Sequence, residues 1–266
     1  MASSCISGCE GCPSRATCKT QDFLPWFEEI DARFRGKTVI SVMSGKGGVG
    51  KSTLASSLAL SISKIKKTCL IDCDMAGPSV PRITNTERSI VVGEFLVPSS
   101  CGTLSVVSPP EETQESHTPG SSIIPYLRRI SADEFDVIVL DTPPGTSDTH
   151  IALSKYIKGM RALIVTTRHP LSISDSERQI DFCRKAKIRT IGVVENMSEY
   201  VCAGCSSRVC IFGNRSIPEV CKKHSIPYVG SVPMQHEAAR LADTGTVPSL
   251  FPPEMVHAIL NEAEKP

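Results

Sequence analysis

The sequence predicts a doubly wound α/β fold, with a mostly parallel sheet covered by helices on both faces. Two observations support this prediction: short apolar runs without polar alternation, and helical patterns between those runs. Strands that are apolar on both faces are typical of parallel sheets buried between layers of helices. Right-handed crossovers between such strands give a three-layer α/β/α sandwich.

The elements are predicted in the order helix, strand, glycine-rich loop and helix, followed by further strands. The first helix is predicted over 21–34 and the next over 52–66, where apolar residues recur at helical spacing. The stretch 84–122, rich in Ser, Thr, Pro and Glu, is predicted to be largely irregular. Strands are predicted at 38–43, 68–73, 104–108, 136–141, 162–167, 190–196 and 227–232, and a later helix over 173–187.

Composition excludes several classes of protein. Hydrophobic residues make up 40% of the chain and charged residues 21%, which is typical of globular proteins and not of disordered chains. No apolar run approaches the roughly 20 residues of a membrane span, and the N-terminus lacks a signal-peptide pattern. With a formal net charge of +1, no broad basic face for nucleic acid is indicated. We therefore expect a cytosolic protein, with the nucleus as a further location, that binds neither membranes nor nucleic acid.

The glycine-rich loop matches the phosphate-binding pattern G-x-x-x-x-G-K-[ST] without mismatch, between a predicted strand and a predicted helix. Glycines let consecutive N–H groups face phosphate oxygens, and the helix N-terminus adds a favourable dipole. We expect Lys51 to neutralise the phosphates of ATP and Ser52 to hold Mg²⁺. The matching residues are Gly45, Lys46, Gly47, Gly48, Val49, Gly50, Lys51 and Ser52, followed by Thr53.

Three acidic residues follow predicted strands beside this loop. Asp141 ends one strand, and Asp72 and Asp74 end another. Because the carboxyl ends of parallel strands meet at one edge of the sheet, these side chains should converge on the nucleotide crevice. We expect Asp141 to orient Mg²⁺ through water.

The chain contains 12 cysteines, and they are unevenly distributed along it. Four of them, Cys5, Cys9, Cys12 and Cys18, lie in a Cys-rich extension that we assign to residues 1–36, ahead of an ATPase domain over 37–266. Four thiolates can hold zinc or a [4Fe–4S] cluster, and their spacing does not decide between them or exclude a redox pair. The scattered Cys69, Cys73, Cys101, Cys183 and Cys221 are predicted to be small buried hydrophobes.

A second group of thiols, Cys202 and Cys205 with Cys210 nearby, offers an incomplete site. Two adjacent thiolates fill only half of a four-thiolate centre, and a second chain related by a two-fold axis could supply the other half. We therefore expect a cluster that bridges two chains through Cys202 and Cys205. A role for Cys210 as a third thiolate stays open.

The loop and its second lysine, Lys46, resemble the deviant Walker A motif of dimeric ATPases of the SIMIBI type. Together with the thiols, the runs 72–79, 141–148 and 195–198 resemble the Mrp/NBP family of P-loop ATPases that scaffold cytosolic iron–sulfur clusters. The N-terminal cysteines resemble those of its larger eukaryotic member, which carries an N-terminal ferredoxin-like [4Fe–4S] cluster.

This resemblance implies a slow ATPase that assembles a transient [4Fe–4S] cluster and transfers it to apoproteins. It implies that Lys46 reaches the partner's nucleotide, that Asp74 positions the attacking water, and that Asn196 contacts the adenine. The implied cofactors are ATP, Mg²⁺ and two kinds of [4Fe–4S] cluster, one N-terminal in each chain and one bridging. The implied partners are a second copy or a smaller related scaffold, and downstream transfer proteins and apo clients.

Two other functions remain open on the sequence alone. A ParA/MinD-like positioning ATPase shares the loop and Lys46, but it predicts a basic amphipathic segment that the acidic-to-neutral residues 254–266 do not provide. A small-molecule P-loop enzyme with structural zinc would need an acceptor pocket, which the stretch 84–122 could supply.

Overall fold

The computed structural model describes residues 26–111, 123–202, 204–213 and 215–265. The four N-terminal cysteines, Cys5, Cys9, Cys12 and Cys18, lie outside these ranges. Their cluster and the boundary of the N-terminal extension therefore stay predictions.

Strands and helices alternate along most of the described chain. The strands are β1 (Thr38–Met43), β2 (Thr68–Asp72), β3 (Ile90–Val92), β4 (Phe95–Val97), β5 (Ser99–Cys101), β6 (Leu104–Val107), β7 (Val137–Asp141), β8 (Arg161–Thr166), β9 (Arg189–Val201), β10 (Arg208–Val209) and β11 (Tyr228–Met234). The helices are α1 (Trp26–Phe34), α2 (Lys51–Ser63), α3 (Val80–Thr84), α4 (Ile123–Arg128), α5 (Asp148–Tyr156), α6 (Pro170–Lys185), α7 (Ile217–His224), α8 (His236–Asp243) and α9 (Pro253–Glu264).

Nine of these strands form one sheet in the order β10-β9-β8-β1-β7-β2-β6-β5, with β11 also paired to β9. The central pairs, β8 with β1, β1 with β7 and β7 with β2, are all parallel. Only β5 and β10 pair antiparallel, at the ends of this order. Connections from β1 and β7 leave in opposite directions, and such a switch point creates a crevice at the carboxyl edge of the sheet.

Helices cover both faces of the sheet, which confirms the three-layer prediction. Alternate residues of β1 show this directly: Val39 and Met43 belong to one core cluster, and Ile40 and Val42 belong to the other. The first cluster contains side chains of α1, α4 and α5, and the second contains side chains of α2 and α9. Since both faces of the strand are buried, its apolar run cannot alternate with polar residues.

The prediction for the stretch 84–122 was partly wrong, because part of it is regular. Strands β3 and β4 pair as a hairpin, and β5 pairs with β6. Gly93, with a φ of +62°, lies in the turn between β3 and β4, where glycine avoids the strain of a left-handed backbone. Leu96 is 3% exposed and anchors the hairpin on the core. Residues 112–122 lie outside the described ranges.

Four of the scattered cysteines are buried, as predicted: Cys69, Cys73, Cys183 and Cys221. Cys101 differs, because it ends the edge strand β5 and is only half-buried. Among the described residues, no helix is both long and apolar enough to cross a bilayer.

Shortening a side chain at the centre of the sheet should destabilise the fold. Leu70 in β2 is 0% exposed, so we expect Leu70→Ala to lower the free energy of unfolding by about 3 kcal/mol. Leu171 is 60% exposed, and Leu171→Ala should change it by less than about 0.5 kcal/mol. Urea denaturation followed by circular dichroism measures both, and equal effects would contradict the placement of β2 between two helical layers.

Candidate functional site

The phosphate-binding loop connects the end of β1 to the start of α2, as predicted. Gly48 and Gly50 both have a φ of +81°, a left-handed conformation that residues with a Cβ adopt only at a cost. Gly50 is the N-cap residue of α2 and supplies no side-chain bond to the first turn of that helix. The free N–H groups of this turn are therefore available to an anion.

Two glycines of the loop are required by close contacts. A Cβ on Gly45 would lie 2.2 Å from the backbone carbon of Asp175 in α6. A Cβ on Gly50 would lie 2.3 Å from Nδ2 of Asn196. The loop is thus held between α6 on one side and β9 on the other.

Lys51 forms a buried ion pair with Asp141 at the carboxyl edge of β7. The Nζ–Oδ1 distance is 2.5 Å, and the two residues are 7% and 0% exposed. Nζ also donates to Oγ of Ser52 at 3.1 Å. The other carboxylate oxygen, Oδ2 of Asp141, is buried without a hydrogen-bond partner among the described residues. Such an oxygen fits a role as acceptor from a water of hydrated Mg²⁺, the role predicted for it.

Asp72 lies beside Asp141, since the two residues are partners in the β2–β7 register. Burial, and after it the Asp141 carboxylate, raises the pKa of Asp72. Its oxygens accept the backbone N–H groups of Asp74 and Val80, each at 3.0 Å. Asp72 therefore shapes the segment after β2. Asp74 is half-buried in this segment and accepts the N–H of Gly77 at 3.1 Å.

His150 is a buried residue of the site that the sequence analysis did not identify. Thr142 donates its hydroxyl to the carbonyl of Val42 in β1 at 2.8 Å, so its oxygen can accept from Nε2 of His150 at 3.1 Å. Nδ1 then accepts the N–H of Ser147 at 3.2 Å. These bonds define a neutral imidazole that fixes residues 142–147, and the N–H of Gly145 bonds to Ser44 at 2.8 Å. A histidine at the third position of a helix gives no sequence signal of this role.

β9 joins the loop to the thiols. Asn196, 7% exposed, donates its side-chain amide to the carbonyl of Val49 at 2.8 Å. Next to it in the same strand, the buried Glu195 pairs with Arg168 and accepts the hydroxyl of Tyr228 at 3.2 Å. The predicted contact of Asn196 with adenine is untested, but the structure shows that its amide supports the phosphate-binding loop.

Cys202 and Cys205 lie in the turn that follows β9. The turn is closed by bonds from the N–H of Cys202 to Ser207 at 3.0 Å and from the N–H of Ser206 to Cys202 at 2.8 Å. Cys205 is exposed, and the hydroxyl of Ser207 at 3.0 Å is the main cause that lowers the pKa of its thiol. Exposed apolar side chains flank the thiols: Tyr200, Val201, Val209 and Ile211.

The thiol pair is incomplete as a metal centre within one chain. No group of three or more metal-binding side chains occurs in the part of the molecule that the structure describes. Cys210 lies beyond β10, where Nη1 of Arg168 approaches its sulfur at 3.5 Å. Among the described residues, Cys202 and Cys205 form a group of two thiols, and the predicted bridge to a second chain stays a prediction.

The predicted site residues thus fall into two groups. The first group lies at the carboxyl edge of the sheet and contains the loop residues with Asp72, Asp74, Asp141 and Asn196. Within the loop, Val49 is buried, Thr53 is half-buried and Lys46 is exposed. The thiols lie six residues beyond Asn196 along β9, a distance of roughly 20 Å in an extended chain.

Comparison with known proteins agrees with this arrangement. A family model described as "ParA: NUBPL iron-transfer P-loop NTPase" matches residues 35–263. The chain belongs to this family. The predicted resemblance to P-loop ATPases of iron–sulfur cluster assembly is confirmed.

Two curated relatives have names that specify a function. The cytosolic Fe-S cluster assembly factor NUBP2 of Bos taurus is 35% identical over 224 residues, which cover 78% of this chain and 83% of that protein. The cytosolic Fe-S cluster assembly factor Nubp2 homolog of Anopheles gambiae is 36% identical over 236 residues, 79% and 87% of the two chains. The narrower resemblance to the larger member with an N-terminal cluster stays a prediction.

Solved structures share the fold. A nucleotide-binding protein from Archaeoglobus fulgidus in complex with ADP is 30% identical, with a TM-score of 0.72, covering 86% of this chain and 94% of that one. The MinD cell division protein of Aquifex aeolicus has a TM-score of 0.58 at 23% identity, covering 85% and 94%. The second likeness supports the fold alone.

His150 should make stability depend on pH. Burial, and after it the charge of Lys51, lowers the pKa of His150 from 6.5 to about 4. Between these values the unfolded chain binds a proton that the folded protein excludes, so stability falls as the pH falls through this window. We expect this residue to reduce the free energy of unfolding by about 2 kcal/mol between pH 7 and pH 5.

The variant His150→Gln removes this titration, so its stability should change less over the same pH range. The variant His257→Gln, at an exposed position of α9, serves as the matched control and should follow the wild type. Urea denaturation at each pH measures all three proteins. Parallel curves for the wild type and His150→Gln would contradict a buried neutral imidazole.

Proposed function

We propose that this protein is a cytosolic ATP-dependent scaffold that assembles a [4Fe–4S] cluster and passes it to apoproteins. One observation carries the proposal: β9 contacts the phosphate-binding loop through Asn196 and leads into the turn that holds the half-buried Cys202 and the exposed Cys205. The names of the curated relatives, cytosolic Fe-S cluster assembly factors, agree with it. The cluster is the cargo of the reaction.

ATP binding is assigned to the loop and its buried ion pair. The N–H groups of the loop and of the first turn of α2 would surround the β-phosphate, with Lys51 on the phosphate oxygens. Lys51 would then exchange Asp141, its partner at 2.5 Å, for phosphate. Mg²⁺, held by Ser52 and through water by Asp141, would replace the lysine as the positive charge beside that carboxylate.

Hydrolysis is assigned to the same edge of the sheet. Asp74 is half-buried in the segment that Asp72 organises, which supports a role in orienting a water toward the γ-phosphate. Lys46 is exposed on the loop. It is therefore available to a nucleotide in a partner chain. We expect a low turnover, because ATP serves to switch the dimer between states.

Cluster binding is assigned to the turn after β9. Two chains related by a two-fold axis would place four thiolates around one [4Fe–4S] cluster. The lowered pKa of Cys205 favours the thiolate, which is the form that binds iron. The apolar side chains around the turn, including Val209 and Ile211 at 50% and 52% exposure, would be covered in such a dimer.

The second chain is a further copy of this protein or a smaller related scaffold, and downstream transfer proteins and apo clients receive the cluster. A permanent [4Fe–4S] cluster on Cys5, Cys9, Cys12 and Cys18 belongs to the proposal as well. It extends the prediction made from the sequence.

A membrane-positioning ATPase is less consistent with the structure. Such a protein would need an amphipathic helix with a free apolar face. Helix α9 instead packs its apolar residues into the second core cluster, including Met255, Ile259 and Leu260. This face is used within the fold.

Removing the thiol of either Cys202 or Cys205 should abolish the bridging cluster. After anaerobic reconstitution with iron and sulfide, the wild type should hold about four iron atoms more per dimer than Cys202→Ala or Cys205→Ala. Iron analysis with Mössbauer spectroscopy measures the difference. Cys101→Ala removes a half-buried thiol and should match the wild type.

Two results would contradict the assignment. One is an iron content and spectrum of Cys202→Ala equal to those of the wild type. The other is a reconstituted wild type that stays colourless and binds only zinc, which would favour the enzyme with a structural metal.

A further inference from the structure

A cleft lies at the opposite end of the sheet from the nucleotide site. Its volume is about 520 Å³, and its walls come from the end of α1, the start of β1, the loop between α5 and β8, and the end of α9. β1 begins at this cleft and ends at the phosphate-binding loop six residues later, so the two sites are roughly 20 Å apart. Cavities of this size are typical of small-molecule sites.

Positive charge dominates the cleft, which is lined by five Lys or Arg side chains and by two carboxylates. The carboxylates are already engaged: Asp31 pairs with Arg35 at 2.9 Å, and Glu264 pairs with Lys66. Of the five cations, Arg35 and Lys265 also have carboxylate partners. The other three are Lys37, Lys158 and Arg161.

These three cations contact neutral groups. Lys37 donates to the carbonyl of Asp133 at 2.9 Å, and Nζ of Lys158 lies 4.7 Å from the centre of the Phe27 ring. Arg161 donates from Nη1 to Gly159 at 2.8 Å and from Nη2 to Lys265 at 3.2 Å. Its Nε is buried without a hydrogen-bond partner among the described residues.

Such a group of cations is unfavourable without a counter-charge. Burial, and after it the charge of Arg189, lowers the pKa of Arg161. A buried donor without a partner also costs free energy. An anion in the cleft would offset the positive charge around Arg161.

The geometry of the donors favours phosphate over carboxylate. A carboxylate binds arginine best through two parallel bonds to one edge of the guanidinium. In Arg161 each Nη already donates one of its two N–H groups to a carbonyl, and Nε is buried, so fewer paired donors are free for a carboxylate. Lysine ammonium groups act as point charges, and separate donors of this kind suit the several oxygens of a tetrahedral phosphate.

The backbone leaves room for such a ligand. Gly36 and Gly159 lie on the two walls beside Lys37 and Lys158, both in the left-handed conformation with φ of +79° and +77°. No atom lies within 4 Å of where a Cβ on either glycine would be.

We propose that this cleft is a second anion site, which binds a small phosphate-bearing molecule through Lys37, Lys158 and Arg161. The site is separate from the nucleotide site and does not depend on the proposed function.

Titration of the full chain with inorganic pyrophosphate tests the site, with ¹⁵N labels on glycine only. In two-dimensional NMR spectra the amides of Gly36 and Gly159 report on the cleft, and those of Gly47 and Gly48 report on the phosphate-binding loop. We expect saturable shifts of Gly36 and Gly159. Lys158→Ala should weaken binding at the cleft about tenfold, which corresponds to about 1.4 kcal/mol, and leave the loop glycines responding as in the wild type.

Lys155→Ala is the matched control, because Lys155 belongs to α5 and does not line the cleft. It should bind pyrophosphate at the cleft as the wild type does. Arg161→Lys keeps the positive charge and should weaken binding less than Arg161→Gln does.

Three results would overturn the proposal. The first is that the amides of Gly36 and Gly159 do not shift while those of the loop glycines do. A second is an equal loss of binding in Lys158→Ala and Lys155→Ala. A third is citrate binding as tightly as pyrophosphate, which would show a site without preference for phosphate.

Discussion

A hydrogen bond of 2.8 Å from the Asn196 amide to the carbonyl of Val49 joins the phosphate-binding loop to the strand that carries the thiols. Both groups are buried, so the loss of this bond would leave two polar groups without water. Gly50 makes the contact possible, because any side chain there would overlap the amide. A rearrangement of the loop around phosphate must therefore displace Asn196, alter its bond or move β9. Each of these changes affects β9, the strand that leads to Cys202.

The buried charges beneath the loop are unbalanced within the chain. The ammonium of Lys51 pairs with the buried carboxylate of Asp141, and the buried Asp72 is the register partner of Asp141 in the sheet. Burial and the nearness of Asp141 raise the pKa of Asp72, which shows how unfavourable a second carboxylate is here. A divalent cation beside Asp141 would offset this excess of negative charge, which supports the proposed Mg²⁺ site. Neutral His150 fixes the neighbouring loop without adding charge.

Much of this arrangement could be predicted from the sequence, for reasons that are local. The loop motif requires glycines at fixed spacing before a helix, and residues 45–52 satisfy it. Apolar runs such as Thr38–Met43 identified the strands, because a strand that is buried on both faces is apolar at most of its positions. The pairing of Cys202 with Cys205 followed from their separation in the chain. The exposure of Cys205 agrees with a shared centre.

Other features depend on contacts between distant residues. His150 acts through Thr142 and Val42, and Val42 is more than 100 positions away in the chain. β9 continues to Val201, five residues beyond its predicted end, because β10 and β11 pair with its polar second half. Leu96 anchors the hairpin of β3 and β4 on the core. The apolar segments of this hairpin are short and lie within a polar stretch, so they were not predicted as strands. No periodicity in the sequence reports these contacts.

Cluster transfer with and without nucleotide tests most directly whether β9 couples the two sites. The cluster-loaded protein is mixed with an apo acceptor, and the transfer rate is followed by circular dichroism in the presence and absence of Mg·ATP. We expect nucleotide to change the rate in the wild type by about tenfold, a difference of about 1.4 kcal/mol in the activation free energy of transfer. The change should be much smaller in Asn196→Ala. Equal rates with and without nucleotide in the wild type would contradict the account.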